Sequence, residues 1–221
     1  MASSQPASWR SIWPVSSPPA LRVAAFLPRC SVAGPGVRAV VWVQGCTRGC
    51  DGCCNGGFAD AAGGALTPIQ ELVETVGSVG GIEGVTFSGG EPFDQAGALS
   101  ALVRALRAQR DLGVVCYTGY TLEELRGGGP PGTADLLDNV DLLIDGPFIL
   151  ERAAPLLWRG SHNQRLLCLT PRYVDSLSDS MDDVRHEVEI TNSRTTATGD
   201  VAHSALDDIA ALLDRDFGVR L

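Results

Sequence analysis

The chain has 221 residues, of which 44% are hydrophobic, and it carries a formal net charge of −9 at pH 7. This length and apolar content suffice for one domain with its own core. The acidic balance argues against a nucleic-acid partner, because binding to a phosphate backbone requires clustered basic residues. All 17 basic residues are arginines, which excludes a Schiff-base lysine and a P-loop lysine. No apolar run approaches the ~18 residues of a membrane span, so no membrane partner is expected.

The sequence suggests three regions. Residues 1–20 are rich in Ser, Pro and Ala, lack the apolar stretch of a signal peptide, and are expected to form a flexible arm. Residues 21–170 are expected to form the core. Residues 171–221 are expected to form a C-terminal extension that ends in an amphipathic helix over Ala205–Leu213. The seven cysteines are an odd number and partly clustered, which favours a metal site in a cytoplasmic protein over a disulfide framework.

The first part of the core is predicted to contain two strands and a helix. The apolar stretch Leu21–Leu27 is expected to form a strand, and the β-branched run Val37–Gln44 a second, buried strand. A loop containing cysteines follows directly. Beyond a glycine-rich stretch, Thr67 is expected to cap a helix that has Pro68 in its first turn and ends at about Val79.

Strands and helices then alternate. The remaining core strands are predicted over Ile82–Phe87, Leu112–Tyr117, Val140–Ile144 and Leu166–Leu169. A helix is predicted over Asp94–Arg110, and Thr121 is expected to cap a short helix with Glu124 at the capping-box position. A further strand is predicted over His186–Ile190, within an otherwise irregular polar stretch. This alternation predicts an α/β fold with a mostly parallel sheet.

Polar or glycine-rich segments come directly after four of the predicted strands. They are the cysteine loop, Ser88–Pro92, Thr118–Tyr120 and Asp145–Phe148. The carboxyl ends of parallel strands meet at one edge of a sheet, where ligands bind in α/β folds. The sequence therefore predicts a single functional rim.

Three cysteines in this loop, Cys46, Cys50 and Cys53, have the spacing Cys-x3-Cys-x2-Cys. Three thiolates can hold three corners of a cubane iron–sulfur cluster and leave the fourth iron open to a substrate or cofactor, which indicates an enzyme. A structural zinc site is the main alternative, but it requires four ligands and no second Cys or His pair follows downstream. Three unrelated free thiols are the remaining interpretation.

The cysteine spacing resembles the cluster motif of the radical S-adenosylmethionine superfamily. More narrowly, the chain resembles the anaerobic ribonucleoside-triphosphate reductase activating proteins, which are glycyl-radical activases. The motifs that carry this resemblance lie in family order between about Leu21 and Leu169. They are Gly34-Pro35-Gly36, the stretch from Gly45 to Asn55, Ser88–Pro92, Tyr117–Tyr120, Asp145–Phe148 and Trp158–Arg165. One departure is Cys54, because that branch usually has Tyr after the third cysteine.

The resemblance implies a partial (β/α) barrel of the radical S-adenosylmethionine type, with a 4Fe-4S cluster on Cys46, Cys50 and Cys53. It also implies S-adenosylmethionine on the open iron and its reductive cleavage to a 5′-deoxyadenosyl radical, which abstracts a hydrogen atom. Glu91 is expected to meet the methionyl amino group, since a carboxylate suits an ammonium. The expected cofactor-binding residues are Gly52, Cys53, Cys54, Ser88, Gly89, Gly90, Glu91, Asp145, Ser161 and Asn163.

The implied partners are a glycyl-radical enzyme, such as the large reductase subunit, and an external electron donor such as flavodoxin or ferredoxin. Two other functions remain open: modification of a peptide or small molecule by the same chemistry, and a non-catalytic zinc-binding module. The residues themselves also permit simpler interpretations. Glu91 and Asp145 could belong to ordinary turns, Ser161 and Asn163 to a hydrogen-bonded loop, and Cys54 could be a small buried filler.

Overall fold

The computed structural model describes residues 19–178, 186–191 and 194–199. The strands in these ranges are β1 (Ala20–Cys30), β2 (Arg38–Val43), β3 (Ala65–Pro68), β4 (Gly84–Gly89), β5 (Gly113–Tyr117), β6 (Leu142–Asp145), β7 (Ala153–Leu156), β8 (Arg159–Ser161), β9 (Arg165–Cys168), β10 (His186–Thr191) and β11 (Arg194–Gly199). The helices are α1 (Ile69–Gly77), α2 (Ala96–Arg107), α3 (Leu122–Gly128), α4 (Thr133–Leu137) and α5 (Val174–Ser178).

Seven strands form the central sheet, in the order β3-β1-β2-β4-β5-β6-β9. The inner strands β2, β4, β5 and β6 are parallel to one another, whereas β1 and β9 are antiparallel to their inner neighbours. β3 is antiparallel to β1 and so runs in the direction of the inner four. The sheet is therefore mostly parallel, which confirms the predicted α/β class. Two antiparallel pairs, β7 with β8 and β10 with β11, form separate two-stranded sheets.

The main core lies between one face of this sheet and the helices. Leu99, Leu102 and Leu106 recur along α2 at helical spacing and are almost completely buried against the sheet. Each such side chain stabilises the fold by roughly 1.5–3 kcal/mol. The other face of β5 and β6 is covered by a smaller cluster that includes Trp158 and Tyr173. Because both faces are covered, most residues of the inner strands are apolar, with polar exceptions such as Arg38, Thr86 and Asp145.

Arg38 opens β2 at the amino end of the parallel strands and is 0% exposed. Its five N–H groups all donate to neutral oxygens at 2.7–2.9 Å: Thr86 Oγ1, the Tyr173 hydroxyl and the carbonyls of Pro35, Val85 and Gly113. Burial lowers the pKa of Arg38, and the contact with Tyr173 raises it in part. One side chain thus joins three adjacent strands to the segment that follows the sheet.

Several predicted elements are confirmed with shifted ends. Thr121 caps α3 and forms a capping box with Glu124, as predicted. Thr67 is not a helix cap: it lies in β3, paired with β1, and α1 begins after Pro68. The predicted helix from Asp94 begins as a 3-10 turn over Pro92–Gln95, which the Glu91 side chain caps.

Other elements differ more from the prediction. Helix α4 and the β7–β8 pair were not predicted, and the predicted irregular stretch after Thr170 contains α5. The strand predicted over His186–Ile190 is present as β10. Residues 1–18 of the predicted arm and the terminal helix over Ala205–Leu213 lie outside the described residues.

Candidate active site

The candidate site lies at the carboxyl edge of the inner strands. Val43 at the end of β2 pairs with Gly89 at the end of β4, so the segments that follow the two strands leave the sheet side by side. The ends of β5 and β6 lie further along the same edge, where Thr118 N–H donates to the carbonyl of Ile144 at 2.9 Å. The structure therefore brings the four predicted segments together on one rim.

The cysteine loop continues from β2 at the middle of this rim. Gly45, Gly49 and Gly52 have φ angles of 95°, 61° and 70°, which a glycine adopts without the steric cost of a side chain. These positive angles curve the loop back on itself. Gly52 also lies under Leu150, since a Cβ at Gly52 would be 3.1 Å from Leu150 Cδ1.

None of the seven cysteines forms a disulfide bond. Cys46, Cys50 and Cys53 are half-buried, whereas Cys54 is exposed, so the interpretation of Cys54 as a buried filler is wrong. No three His, Cys, Asp or Glu side chains in the described ranges are grouped closely enough to hold a metal ion. The donor set still suits an iron–sulfur cluster, because three thiols share one glycine-rich loop and the backbone N–H of Arg48 donates to Cys46 Sγ at 3.4 Å.

The surroundings of the thiols affect their ionisation in different ways. Burial raises the pKa of Cys46, backbone N–H groups of Arg48 and Gly49 oppose that rise, and the charges of Glu91 and Asp94 add to it. A hydrogen bond with the Cys54 thiol lowers the pKa of Cys53 to about 6.

The loop and the segment after β4 are in backbone contact. Glu91 N–H donates to the carbonyl of Gly45 at 2.8 Å, and Gly90 N–H donates to that of Val43 at 2.8 Å. A Cβ at Gly90 would lie 2.0 Å from the Gly45 oxygen, and one at Gly89 would lie 2.5 Å from the Val43 oxygen. Both glycines are therefore required for the cysteine loop to lie this close to β4.

Glu91 is 1% exposed and joins two strand ends. Its Oε1 accepts from Phe93 N–H and Thr118 Oγ1–H at 2.9 Å each, and its Oε2 accepts from Gly119 N–H at 2.8 Å. Desolvation raises the pKa of Glu91 to about 7, although these hydrogen bonds oppose the rise. In this arrangement the carboxylate binds the backbone of the rim, whereas the sequence predicted a contact with an ammonium group. Ser88, three residues earlier, is half-buried at the end of β4.

Asp145 ends β6 and is 0% exposed. Its Oδ1 accepts from Arg165 Nε at 2.9 Å, and its Oδ2 accepts from the N–H of Leu122, at the start of α3, at 2.7 Å. Arg165 also pairs with Glu123 on the surface. Both oxygens of Asp145 are therefore engaged in holding α3 and β9 to the sheet.

Ser161, the last residue of β8, and Asn163, in the turn that follows, are both hydrogen-bonded within the protein, which agrees with one of the interpretations left open. Ser161 is buried and its Oγ accepts from Ile149 N–H at 3.3 Å. Asn163 Nδ2 donates to the carbonyl of Pro147 at 2.7 Å, while its Oδ1 is buried without a partner. The one other such side-chain atom in the described part of the chain is Arg48 Nε, in the cysteine loop. The rim thus has one acceptor and one donor to spare.

The sequence did not indicate which residues hold the cysteine loop to the segments that follow β4 and β5. Asp94 accepts two hydrogen bonds from Thr47, and the guanidinium carbon of Arg48 lies 4.3 Å from the centre of the Tyr120 ring. Arg48 Nη2 is also 3.6 Å from Glu124 Oε1. The only available signal was the position of Asp94 and Tyr120 just after predicted strands.

A cavity of about 450 Å³ lies away from this rim, between α3, α4 and the end of β9. It is lined mainly by apolar residues and contains none of the candidate site residues. The candidate site thus lies outside this cavity, at the edge of the sheet. No helix in the described ranges is both long enough and apolar enough to span a membrane.

Residues 32–167 match the model of the family described as 4Fe-4S single cluster domain. The chain is also similar to proteins named anaerobic ribonucleoside-triphosphate reductase-activating protein. The one from Enterobacteria phage T4 is 33% identical over 142 residues, which cover 61% of this chain and 86% of that protein. The one from Haemophilus influenzae is 34% identical over 150 residues, covering 63% and 92%. The one from Escherichia coli is 31% identical over 149 residues, covering 63% and 93%.

The chain belongs to this family of reductase-activating proteins. The resemblance stated from the motifs is thereby confirmed, and so is the expectation of an iron–sulfur enzyme that uses S-adenosylmethionine. The matched stretch, residues 32–167, contains every candidate site residue from Cys46 to Asn163.

Proposed function

We propose that this protein is a radical S-adenosylmethionine enzyme that activates an anaerobic ribonucleoside-triphosphate reductase. The observation that carries the proposal is the three-cysteine loop at the carboxyl edge of a parallel sheet, in a chain that belongs to the family of reductase-activating proteins. The family's 4Fe-4S description favours an iron–sulfur cluster over the zinc alternative.

In this proposal, Cys46, Cys50 and Cys53 hold the cluster. All three cysteines lie in one glycine-rich loop, and the Arg48 N–H donates to the Cys46 sulfur. When bound, the reduced cluster supplies the electron that cleaves S-adenosylmethionine and yields the 5′-deoxyadenosyl radical. The chain would contribute by fixing the positions of the sulfur atoms.

The cofactor would lie along the rim of a partial (β/α) barrel. Gly89 and Gly90 let the cysteine loop lie against the end of β4, Ser88 is half-buried beside them, and Gly52 and Cys54 flank the third cysteine. Asn163 Oδ1 is a buried acceptor that lacks a partner, which supports a role in binding a donor group of the cofactor; Ser161 lies two residues away. Glu91 and Asp145 have their oxygens engaged by the protein, so we assign them to positioning the rim.

The partner would be the large reductase subunit, which presents the glycine from which hydrogen is removed. An external donor such as flavodoxin or ferredoxin would reduce the cluster, and the reaction would take place in the cytoplasm. Residues 21–170 would form the catalytic core, with residues 1–20 and 171–221 as additions to it.

The test uses anaerobically reconstituted protein. We expect a brown protein that contains iron and sulfide and that forms 5′-deoxyadenosine when S-adenosylmethionine and a strong reductant are added. Cys50→Ala should lose both properties. Cys168→Ala, a free thiol on β9 outside the loop, is the matched control and should keep both.

The partner is tested by adding the large reductase subunit and recording its electron paramagnetic resonance spectrum. A glycyl-radical signal that depends on Cys50 supports the proposal. A colourless protein that forms no 5′-deoxyadenosine would refute the radical chemistry. Formation of 5′-deoxyadenosine without a radical on the reductase would refute the assigned partner.

A further inference from the structure

Asp94 holds the residue that follows the first cysteine. The backbone N–H of Thr47 donates to Asp94 Oδ2 at 3.0 Å, and Thr47 Oγ1–H donates to Asp94 Oδ1 at 3.1 Å. Two hydrogen bonds from one residue to both oxygens of a carboxylate fix its orientation as well as its position. Since Thr47 directly follows Cys46 in the chain, its contact with Asp94 also restricts where the Cys46 thiol can lie.

Asp94 itself is held in place by several hydrogen bonds. Asp94 lies in the 3-10 turn Pro92–Gln95, whose start is capped by the buried Glu91 side chain. Asp94 N–H donates to the Glu91 carbonyl at 3.1 Å, and the Tyr120 hydroxyl lies 3.4 Å from Asp94 Oδ1. Asp94 is therefore attached both to the end of β4 and to the segment after β5.

The charged groups near Cys46 are unequally distributed. The carboxylate of Asp94 accepts hydrogen bonds from Thr47, the residue directly after Cys46, so its negative charge lies beside the first cysteine. The nearest cation along the chain is Arg48, and its guanidinium is engaged with the Tyr120 ring and with Glu124. Glu91 is only partly ionised near pH 7, because burial raises its pKa to about 7.

We infer that Asp94 is a positioning residue that fixes Cys46 and whose carboxylate holds the reduction potential of the bound cluster low. A nearby negative charge disfavours the reduced cluster, which carries one more electron than the oxidised form. A low potential suits a cluster that must reduce a sulfonium ion. This inference rests on the proposed function only in that the three cysteines bind a 4Fe-4S cluster.

The test compares the midpoint potential of reconstituted wild-type protein with that of Asp94→Asn. Asparagine keeps an oxygen acceptor for Thr47 and removes the charge. We expect the ratio of reduced to oxidised cluster, at a fixed applied potential, to rise roughly three- to tenfold. For a one-electron couple this corresponds to ~30–60 mV towards positive values. The potential does not depend on how much protein is loaded, so a variant that binds less iron still gives a result.

Two controls separate charge from structure. Thr47→Val removes the Oγ1 hydrogen bond to Asp94 without changing charge, and should reduce iron retention with little change in potential. Asp111→Asn removes the same charge at the amino end of β5, where Asp111 pairs with Arg172, and should change neither property.

An unchanged potential in Asp94→Asn would overturn the inference, as would an equal shift in Thr47→Val. A wild-type protein that binds no cluster would instead contradict the proposed function.

Discussion

The two ends of the parallel sheet differ in how completely the buried side chains Arg38, Arg48 and Asn163 are hydrogen-bonded. At the amino end, Arg38 is completely buried and each of its five N–H groups has an oxygen acceptor. At the carboxyl end, the Arg48 Nε and Asn163 Oδ1 atoms are buried without hydrogen-bond partners. A closed network stabilises one geometry, whereas spare donors and acceptors leave a place for a ligand. The difference separates the end that maintains the fold from the end that we propose to be catalytic.

The largest effect is expected from Gly90→Ala at the carboxyl end. The new Cβ would lie 2.0 Å from the Gly45 carbonyl oxygen, so the cysteine loop must move away from β4. We expect reconstituted Gly90→Ala to lose nearly all bound iron, as measured by its iron content and visible absorption.

Gly97→Ala is the matched control for this change. Gly97 lies in α2, and a Cβ there would meet nothing within 4 Å. It should bind iron normally and be as stable as the wild type or up to ~1 kcal/mol more stable. Normal iron content in Gly90→Ala would show that the close backbone contact is dispensable.

A somewhat smaller effect is expected at the amino end. Arg38→Met removes five hydrogen bonds and leaves buried oxygens without donors, which should lower the free energy of unfolding by about 3–5 kcal/mol. Urea unfolding followed by circular dichroism measures this change. Arg104→Met, on the exposed side of α2, is the control and should change it by less than ~1 kcal/mol. A comparable loss in both variants would mean that the Arg38 network adds no special stability.

The smallest effect is a pH dependence that arises from Glu91. Its pKa is raised from 4.5 to about 7 in the folded protein, so the folded state binds this proton more tightly than the unfolded state does. The associated stability is fully present below pH 4.5 and is lost as the pH rises towards 7. This loss amounts to roughly 3 kcal/mol for a buried group.

Glu91→Gln removes the titrating proton, so its unfolding free energy should depend less on pH in this window than that of the wild type. The difference is measured by urea unfolding at several pH values between 4.5 and 7. Parallel curves for the two proteins would contradict the prediction.

The strand pattern of the sheet could be predicted from sequence because the inner strands are buried on both faces and are mostly apolar. The position of the rim followed from the same pattern, since parallel strands place their carboxyl ends together. Thr67 was assigned wrongly because its local Thr-Pro sequence is typical of a helix start, whereas pairing with Leu21 of β1 places it in β3. The pairing of Thr67 with β1 therefore outweighed the local preference of Thr-Pro for a helix start.

The roles of individual polar residues were harder to predict. Asp94 and Tyr120 are common residue types at ordinary positions, and only the folded chain brings them to Thr47 and Arg48. Glu91 was expected to face a ligand because a carboxylate can bind an ammonium. Three donors from the protein surround it, and two of them come from the distant residues Thr118 and Gly119. No pattern along the sequence shows that residues so far apart in the chain meet at one carboxylate.

The contact between Arg38 and Tyr173 also bears on how the chain can be divided. The family match ends at residue 167, but the hydroxyl that accepts from Arg38 Nη1 lies six residues further on, at Tyr173. The stretch that matches the family is thus shorter than the stretch that supplies all five acceptors of the buried Arg38 guanidinium. A shortened version that stops at the family limit would leave the buried Arg38 guanidinium without one of its acceptors, and should therefore be less stable than one that extends to Tyr173.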